Sequence, residues 1–198
     1  MISVIIPAYN EGACLNECLE SVHKAIGNSG VCVEVIVVIN DPSIGRVQAK
    51  NIGAERAIGN ILVFLDADCR ISENFFQEID KKAKNPFFIG GGVKYVKLDK
   101  YSIGIFAFYI CLGFYLLLKQ ITVGAFWIRK EVFKAIGGFK EERFDDIDFA
   151  LRMKQYASDN NKKFESLKES HIIWSTRKFK DWGDWHWIKG YKTERLGN

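Results

Sequence analysis

Two groups of carboxylates stand out by residue type and spacing. Asp66 and Asp68 are separated by one residue and follow an uninterrupted apolar run, Ile61 to Leu65. Asp145, Asp146 and Asp148 place three acids within four residues, just ahead of Phe149-Ala150-Leu151. Carboxylate oxygens are hard donors suited to a divalent cation, and they also accept hydrogen bonds from hydroxyl groups. Three acids so close together repel one another unless a cation or a proton sits among them. A structural reading competes at both places, because acids favour helix N-termini and each stabilises one by about 0.5 kcal/mol.

The elements that must position these groups follow from the apolar pattern. Ile61 to Leu65 suits a strand buried on both faces of a parallel sheet, and ligands of such sheets gather outside the carboxyl ends of the strands. If that strand continued, Asp66 and Asp68 would point to opposite sides; a turn starting at Asp66 brings both toward one cation or sugar. Upstream, Ile2 to Ile6 reads as a strand closed by Pro7, and Asn10 as the cap of a helix carrying Leu15, Leu19, Val22 and Ile26. Val31 to Ile39 is a second buried strand, ending in the turn Asn40-Asp41-Pro42-Ser43, and a short helix covers Val47 to Ile58. The first 68 residues thus run β-α-β-α-β, the mark of a parallel sheet with helical crossovers and of a Rossmann-like nucleotide-binding half.

Ser72 is placed to cap a helix reaching Lys84, and Phe87 to Leu98 is extended around Gly90-Gly91-Gly92. That triplet lacks phosphate-loop spacing and reads as a bulge or a close backbone approach. Val123 to Ile128 is a further strand, Lys130 to Ile136 a short helix, and another helix starts near Asp145 or Asp146.

At 198 residues the chain makes one domain, and its +4 charge is unevenly spread. From Ala150 onward there are eleven Lys/Arg against six Asp/Glu, leaving 17 against 18 before it. The five cysteines lack metal-ligand pairing and read as reduced core thiols of a cytoplasmic protein; Met1 leads straight into a strand with no signal peptide. Tyr101 to Leu118 is an apolar stretch of eighteen residues without formal charge. It reads as a core helix, a helix lying on a membrane or a partner, or a span, the last ranking lowest because it would part the two acidic groups. From His171, Trp174, Trp182, Trp185 and Trp187 interleave with Arg177, Lys178, Lys180 and Lys189. That pattern suits a membrane interface, a sugar-stacking surface, a single-strand-binding groove or simply a crowded terminus.

Several segments together resemble the family 2 inverting glycosyltransferases of GT-A fold. They are Val4-Ile5-Ile6-Pro7-Ala8-Tyr9-Asn10-Glu11, Ala49-Lys50-Asn51-Ile52-Gly53-Ala54 and Phe64-Leu65-Asp66-Ala67-Asp68, then Ile136-Gly137-Gly138-Phe139 and Asp145 to Arg152. The resemblance implies a single α/β domain with a mixed, mostly parallel sheet flanked by helices. Residues 1–98 would form a nucleotide-sugar-binding half, 99–170 an acceptor half including helix 101–118, and 171–198 an aromatic and basic tail. It implies that Pro7, Ala8, Tyr9 and Glu11 line the base and ribose pocket, with Asn51 also on the donor side. Asp66 would approach the ribose or sugar, Asp68 would bind Mg²⁺ or Mn²⁺ on the diphosphate, and Asp146 would be the general base. Where the family carries an acidic turn against the base, this chain has Ile39-Asn40-Asp41-Pro42-Ser43, so Asp41 is the contact expected there. The family's processive Gln-x-x-Arg-Trp motif is absent, which implies addition of one sugar at a time.

The expected reaction moves a sugar from a UDP- or GDP-sugar to a glycan or lipid-linked hydroxyl, without nucleic acid. It would take place in the cytoplasm with peripheral contact at the inner membrane face, and a homodimer is the other use of the apolar helix. Two rivals use the same residues. One is a haloacid-dehalogenase-like phosphatase with an aspartyl nucleophile in Asp66-x-Asp68. The other is a homologue that holds a nucleotide sugar without turnover.

Overall fold

A computed structural model describes residues 1–39, 43–100 and 102–177. β1 (Ile2–Ala8), α1 (Ala13–Ser29), β2 (Val33–Ile39), α2 (Arg46–Arg56) and β3 (Ile61–Phe64) form the expected β-α-β-α-β run. β2 and β3 both pair with β1 in parallel, on its opposite edges. The strand order reverses there, and open α/β sheets take their ligands at the carboxyl ends of strands at such a point, here β1 and β3.

Alternate side chains of these strands enter two separate cores. Val4, Ile6, Val63 and Leu65 pack with Cys18 and Val22 of α1, whereas Ile5, Leu62 and Phe64 pack with Val47 and Ala54 of α2. Burial on both faces is why β3 reads as an unbroken apolar run. α2 lies close on β1: a Cβ at Gly53 would come within 2.3 Å of Ile5 Cγ2.

The chain continues through β4 (Cys69–Ile71), α3 (Phe75–Ala83), β5 (Phe88–Gly91), β6 (Val93–Leu98), α4 (Ile103–Lys119), β7 (Phe126–Arg129), α5 (Lys130–Ala135), α6 (Asp145–Asp159), β8 (Lys163–Phe164) and β9 (Leu167–Trp174). Among the described residues the strands form a mixed sheet of order β2-β1-β3-β7-β5-β8 and a smaller one of order β4-β9-β6. α3 adds Phe75, Phe76 and Ile79 to the first core, and α6 adds Phe149, Ala150 and Met153 to the second. The glycine triplet is a close backbone approach, as its lack of loop spacing implies. Added Cβ atoms would meet Trp127 O at 2.3 Å from Gly90, Glu165 O at 2.2 Å from Gly91 and Thr122 O at 2.6 Å from Gly92.

Several local expectations are corrected. Asn10 does not cap α1; it takes a left-handed conformation (φ 51°), and Gly12 precedes the helix without a side-chain cap. Ser72 does not cap α3, which begins at Phe75; its hydroxyl accepts from the His171 backbone N–H at 3.1 Å. His171 to Trp174 belong to β9. Only Cys18 and Cys69 are buried, with Cys14 half-buried and Cys32 and Cys111 exposed; all five are free thiols. α4 is not a core helix, since only Gly104 and Ile105 of its 17 residues are buried. No helix among the described residues is long and apolar enough to cross a membrane.

Candidate active site

One buried ammonium gathers the acidic residues. α2 presents Arg46 and Lys50, four apart and so on one helix face. Lys50 Nζ lies 2.7 Å from Asp146 Oδ1, 3.3 Å from Asp145 Oδ2 and 3.9 Å from Asp66 Oδ1. Arg46 donates a second charged hydrogen bond to Asp145. A lysine only 2% exposed needs such partners, because desolvating its charge unpaired costs several kcal/mol. Burial alone would lower its pKa, but Asp146, Asp66 and Asp145 overcome that and raise it above 10.5. The Asp145 carboxyl is pushed up by burial and by the adjacent Asp146 charge, against the pull of Lys50 and Arg46.

Exposure separates the three acids. The Asp145 side chain is 4% exposed, while those of Asp146 and Asp66 are each 24% exposed. Asp145 anchors the start of α6 on α2, whereas Asp146 and Asp66 keep surface that a ligand can reach. Asp148 turns away from the ammonium. It holds Arg152 at 2.7 Å, and Arg152 donates to the carbonyls of Ile136 and Gly138 at 2.9 and 2.8 Å.

An aromatic floor supports the cluster. Phe139 stacks on Phe149 with centroids 3.9 Å apart, Phe64 meets Phe139 edge-on at 4.9 Å, and Lys50 Nζ sits 4.5 Å above the Phe139 ring. Asn51 clamps the Phe139 backbone, donating to its carbonyl and accepting from its N–H, both at 3.0 Å. The Asn51 amide therefore fixes the Gly137-Gly138-Phe139 turn against α2. Gly138, at φ 66°, leaves room for it: a Cβ there would lie 2.7 Å from Asn51 Oδ1.

The turn after β3 forms as its spacing implies, with the Cys69 N–H donating to Asp66 O at 3.0 Å. Asp68 is 8% exposed; the Cys69 thiol lies 3.7 Å from its Oδ1, and the Ser175 N–H donates to its backbone carbonyl at 3.1 Å. Burial and the Asp68 and Asp66 charges push the Cys18 thiol up to about 12 and Cys69 well above its ordinary value. Both thiols stay neutral beside the acids. Among the described residues no group of three or more His, Cys, Asp or Glu could hold a metal ion. Mg²⁺ is ordinarily held by one or two carboxylates plus substrate phosphates, and an Asp-x-Asp turn fits that donor set.

Pro7 and Ala8 are buried at the end of β1, Tyr9 is 45% exposed beyond it, and Glu11 pairs with Arg177 at 2.5 Å. His171 Nε2 lies 3.2 Å from Lys97 Nζ. Asp41 and the tail residues Lys178, Lys180, Trp182, Trp185, Trp187 and Lys189 lie outside the described residues. The sequence pattern alone gives no role to Lys50 or Arg46. The signal it does hold is that two cations share a face of α2 with no acid in its first turn to pair with them.

Parallel strands whose order reverses at β1, an acidic turn closing β3 and an acidic helix start sharing one ammonium with it point to one class: the fold is that of the GT-A glycosyltransferases. Among solved structures, the chain superposes on the Pyrobaculum calidifontis mannosyltransferase PcManGT, solved with GDP-Man and Mn²⁺, at a TM-score of 0.63 and 16% identity, covering 91% of this chain and 59% of that one. It matches residues 1–349 of S. aureus TarS, solved with UDP-GlcNAc, at 0.61 and 16% identity over 89% and 58% of the two chains. In sequence it is 29% identical to the glycosyltransferase GlyG of Streptococcus pneumoniae serotype 4 (strain ATCC BAA-334 / TIGR4), over 56% of this chain and 44% of that protein. The chain thus spans less than two thirds of the length of these relatives. No protein-family model matches.

Proposed function

We propose that the chain transfers a sugar from a UDP- or GDP-sugar to a hydroxyl of a glycan or lipid-linked acceptor, inverting the anomeric carbon and adding one sugar at a time. The observation that carries this reading is the meeting of Asp66 and Asp146 on Lys50 from stretches 80 residues apart. Asp146 takes the proton from the acceptor hydroxyl, with Lys50 at 2.7 Å aiming its carboxylate. Asp66, on the same ammonium, addresses the ribose or sugar of the donor. Pro7, Ala8, Tyr9, Glu11 and Asp41 line the nucleotide end, Asn51 supports the floor, and residues 1–98 and 99–170 serve donor and acceptor in turn.

Asp68, only 8% exposed, lies two residues beyond Asp66 on the turn that closes β3. Asp68 with the donor diphosphate would hold Mg²⁺ or Mn²⁺. Such an ion, when bound, neutralises the charge developing on the nucleoside diphosphate leaving group. The GDP-Man, UDP-GlcNAc and Mn²⁺ seen with the structural neighbours support this class of donor and metal. We place the acceptor in cell-envelope polysaccharide synthesis, at the inner face of the membrane.

A donor screen that follows nucleoside diphosphate release tests the reading. Asp146→Asn is expected to lower turnover by ~10²-fold or more, the range for a lost general base. Unchanged turnover would remove Asp146 from the chemistry. Release of inorganic phosphate from phosphomonoesters would instead favour the phosphatase use of Asp66.

A further inference from the structure

α4 breaks the usual rule for a surface helix. Its inward seam is narrow: Ile105 and Phe108 pack with Leu98 and Trp174, and Leu116 packs against the second core. Ile103, Phe106, Ile110, Phe114, Leu117 and Leu118 are between 53% and 83% exposed. An apolar surface of this kind on a water-soluble face marks a contact with something else.

The surroundings indicate which contact. Tyr109 ties α4 to β6 by donating to Val96 O at 2.8 Å. β6 and the residues after it supply Lys94, Lys97 and Lys100. The one acid among them, Asp99, is exposed but engaged, accepting from the Thr176 N–H and hydroxyl at 2.8 and 2.6 Å. A recess of about 300 Å³ opens between β6, β9 and α4, bordered by Lys97, Lys168, His171, Tyr95 and Tyr109. Glu169 is its single carboxylate and pairs with Lys81 at 3.3 Å. At the other end of the helix stands Lys119, with Lys154 donating to its carbonyl at 2.7 Å. α4 itself carries no acid. Apolar side chains flanked by lysines and tyrosines match the depth profile of a bilayer surface, apolar inward and cationic at the headgroups. A second copy fits less well, since a two-fold contact through α4 would set the same lysines against one another.

We propose that α4, with Lys94 and Lys97 of β6, docks the protein on an anionic phospholipid bilayer, with the β6/β9 recess taking lipid phosphate. This docking goes beyond sugar transfer and needs no donor, so the two stand or fall separately. The test is flotation of the full chain with neutral phosphatidylcholine vesicles and with vesicles containing phosphatidylglycerol, without nucleotide. Binding is expected to the anionic vesicles only, and to weaken as salt rises. Lys94→Gln and Lys97→Gln should each weaken it about fivefold. Phe106→Ser combined with Phe114→Ser should abolish it, while circular dichroism shows the fold retained. Absence of binding, equal binding to neutral vesicles, or a dimer in sedimentation that Phe114→Ser dissolves would each overturn the proposal. The lysine variants keep the test sound if the double serine variant fails to fold.

Discussion

The Lys50 cluster and α4 are opposite departures from what folding alone would choose. In one, charges are taken out of water and held by mutual pairing; in the other, large apolar side chains are left in it. Burying ions in a small domain is at best neutral for stability, and exposing phenylalanines forgoes the driving force for folding. Departures of this sort mark the parts of a sequence retained for what they do. The contrast also predicts how each region responds to change: the cluster should be intolerant of losing any member, and α4 indifferent until a partner surface is present.

The largest effect on stability is expected from Lys50→Met. It removes the ammonium that Asp145 and Asp146 share at the start of α6, and removing one partner of a buried ion pair costs about 3–5 kcal/mol. Thermal unfolding should fall by roughly 10 °C at this chain length. If Tm moved by less than a couple of degrees, the cluster would be a loose surface network.

The pH dependence sharpens the same point. The Lys50 pKa is raised in the folded state, so its stabilisation is complete below 10.5 and lost as pH climbs through the raised value. On the alkaline side, the Tm gap between wild type and Lys50→Met should therefore hold from neutral pH upward and close as pH passes through the raised Lys50 value. A gap that closed near neutrality would contradict the assignment.

At the small end stands Phe114→Ser on α4. A side chain 63% exposed contributes little to the fold, and stability should change by no more than about 0.5 kcal/mol in denaturant titration. A loss of about 2 kcal/mol or more would mean that α4 packs against the body of the protein in solution.

The same contrast explains what the amino-acid sequence makes legible. β1 and β3 are readable because strands buried on both faces leave nearly unbroken apolar runs, whereas β2, expected to be buried, is a half-buried edge strand that reads only through its Val and Ile residues. Asp66 and Asp146 are readable because acids after a strand and at a helix start are conspicuous. Lys50 is not, since a lysine in a polar helix looks like solvent-facing surface until the start of α6 is folded over it. β4 and β8, three and two residues long, carry too little periodicity to announce a strand, so the second sheet and the outer edge of the first stay hidden, and part of β9 reads as tail. The apolar stretch at α4 is plain, but whether it faces the core depends on tertiary packing that periodicity does not encode.

Donor and acceptor roles meet most directly in calorimetric titration of the nucleotide-sugar donor against wild type, Asp146→Asn and Asp68→Ala, each with Mn²⁺ and with chelator. Wild type and Asp146→Asn should bind donor alike in Mn²⁺ if, as proposed, Asp146 serves the acceptor, while Asp68→Ala should lose the metal-dependent affinity. Donor affinity that ignores both Mn²⁺ and Asp68→Ala would contradict the placing of a metal-held donor beside the Lys50 cluster.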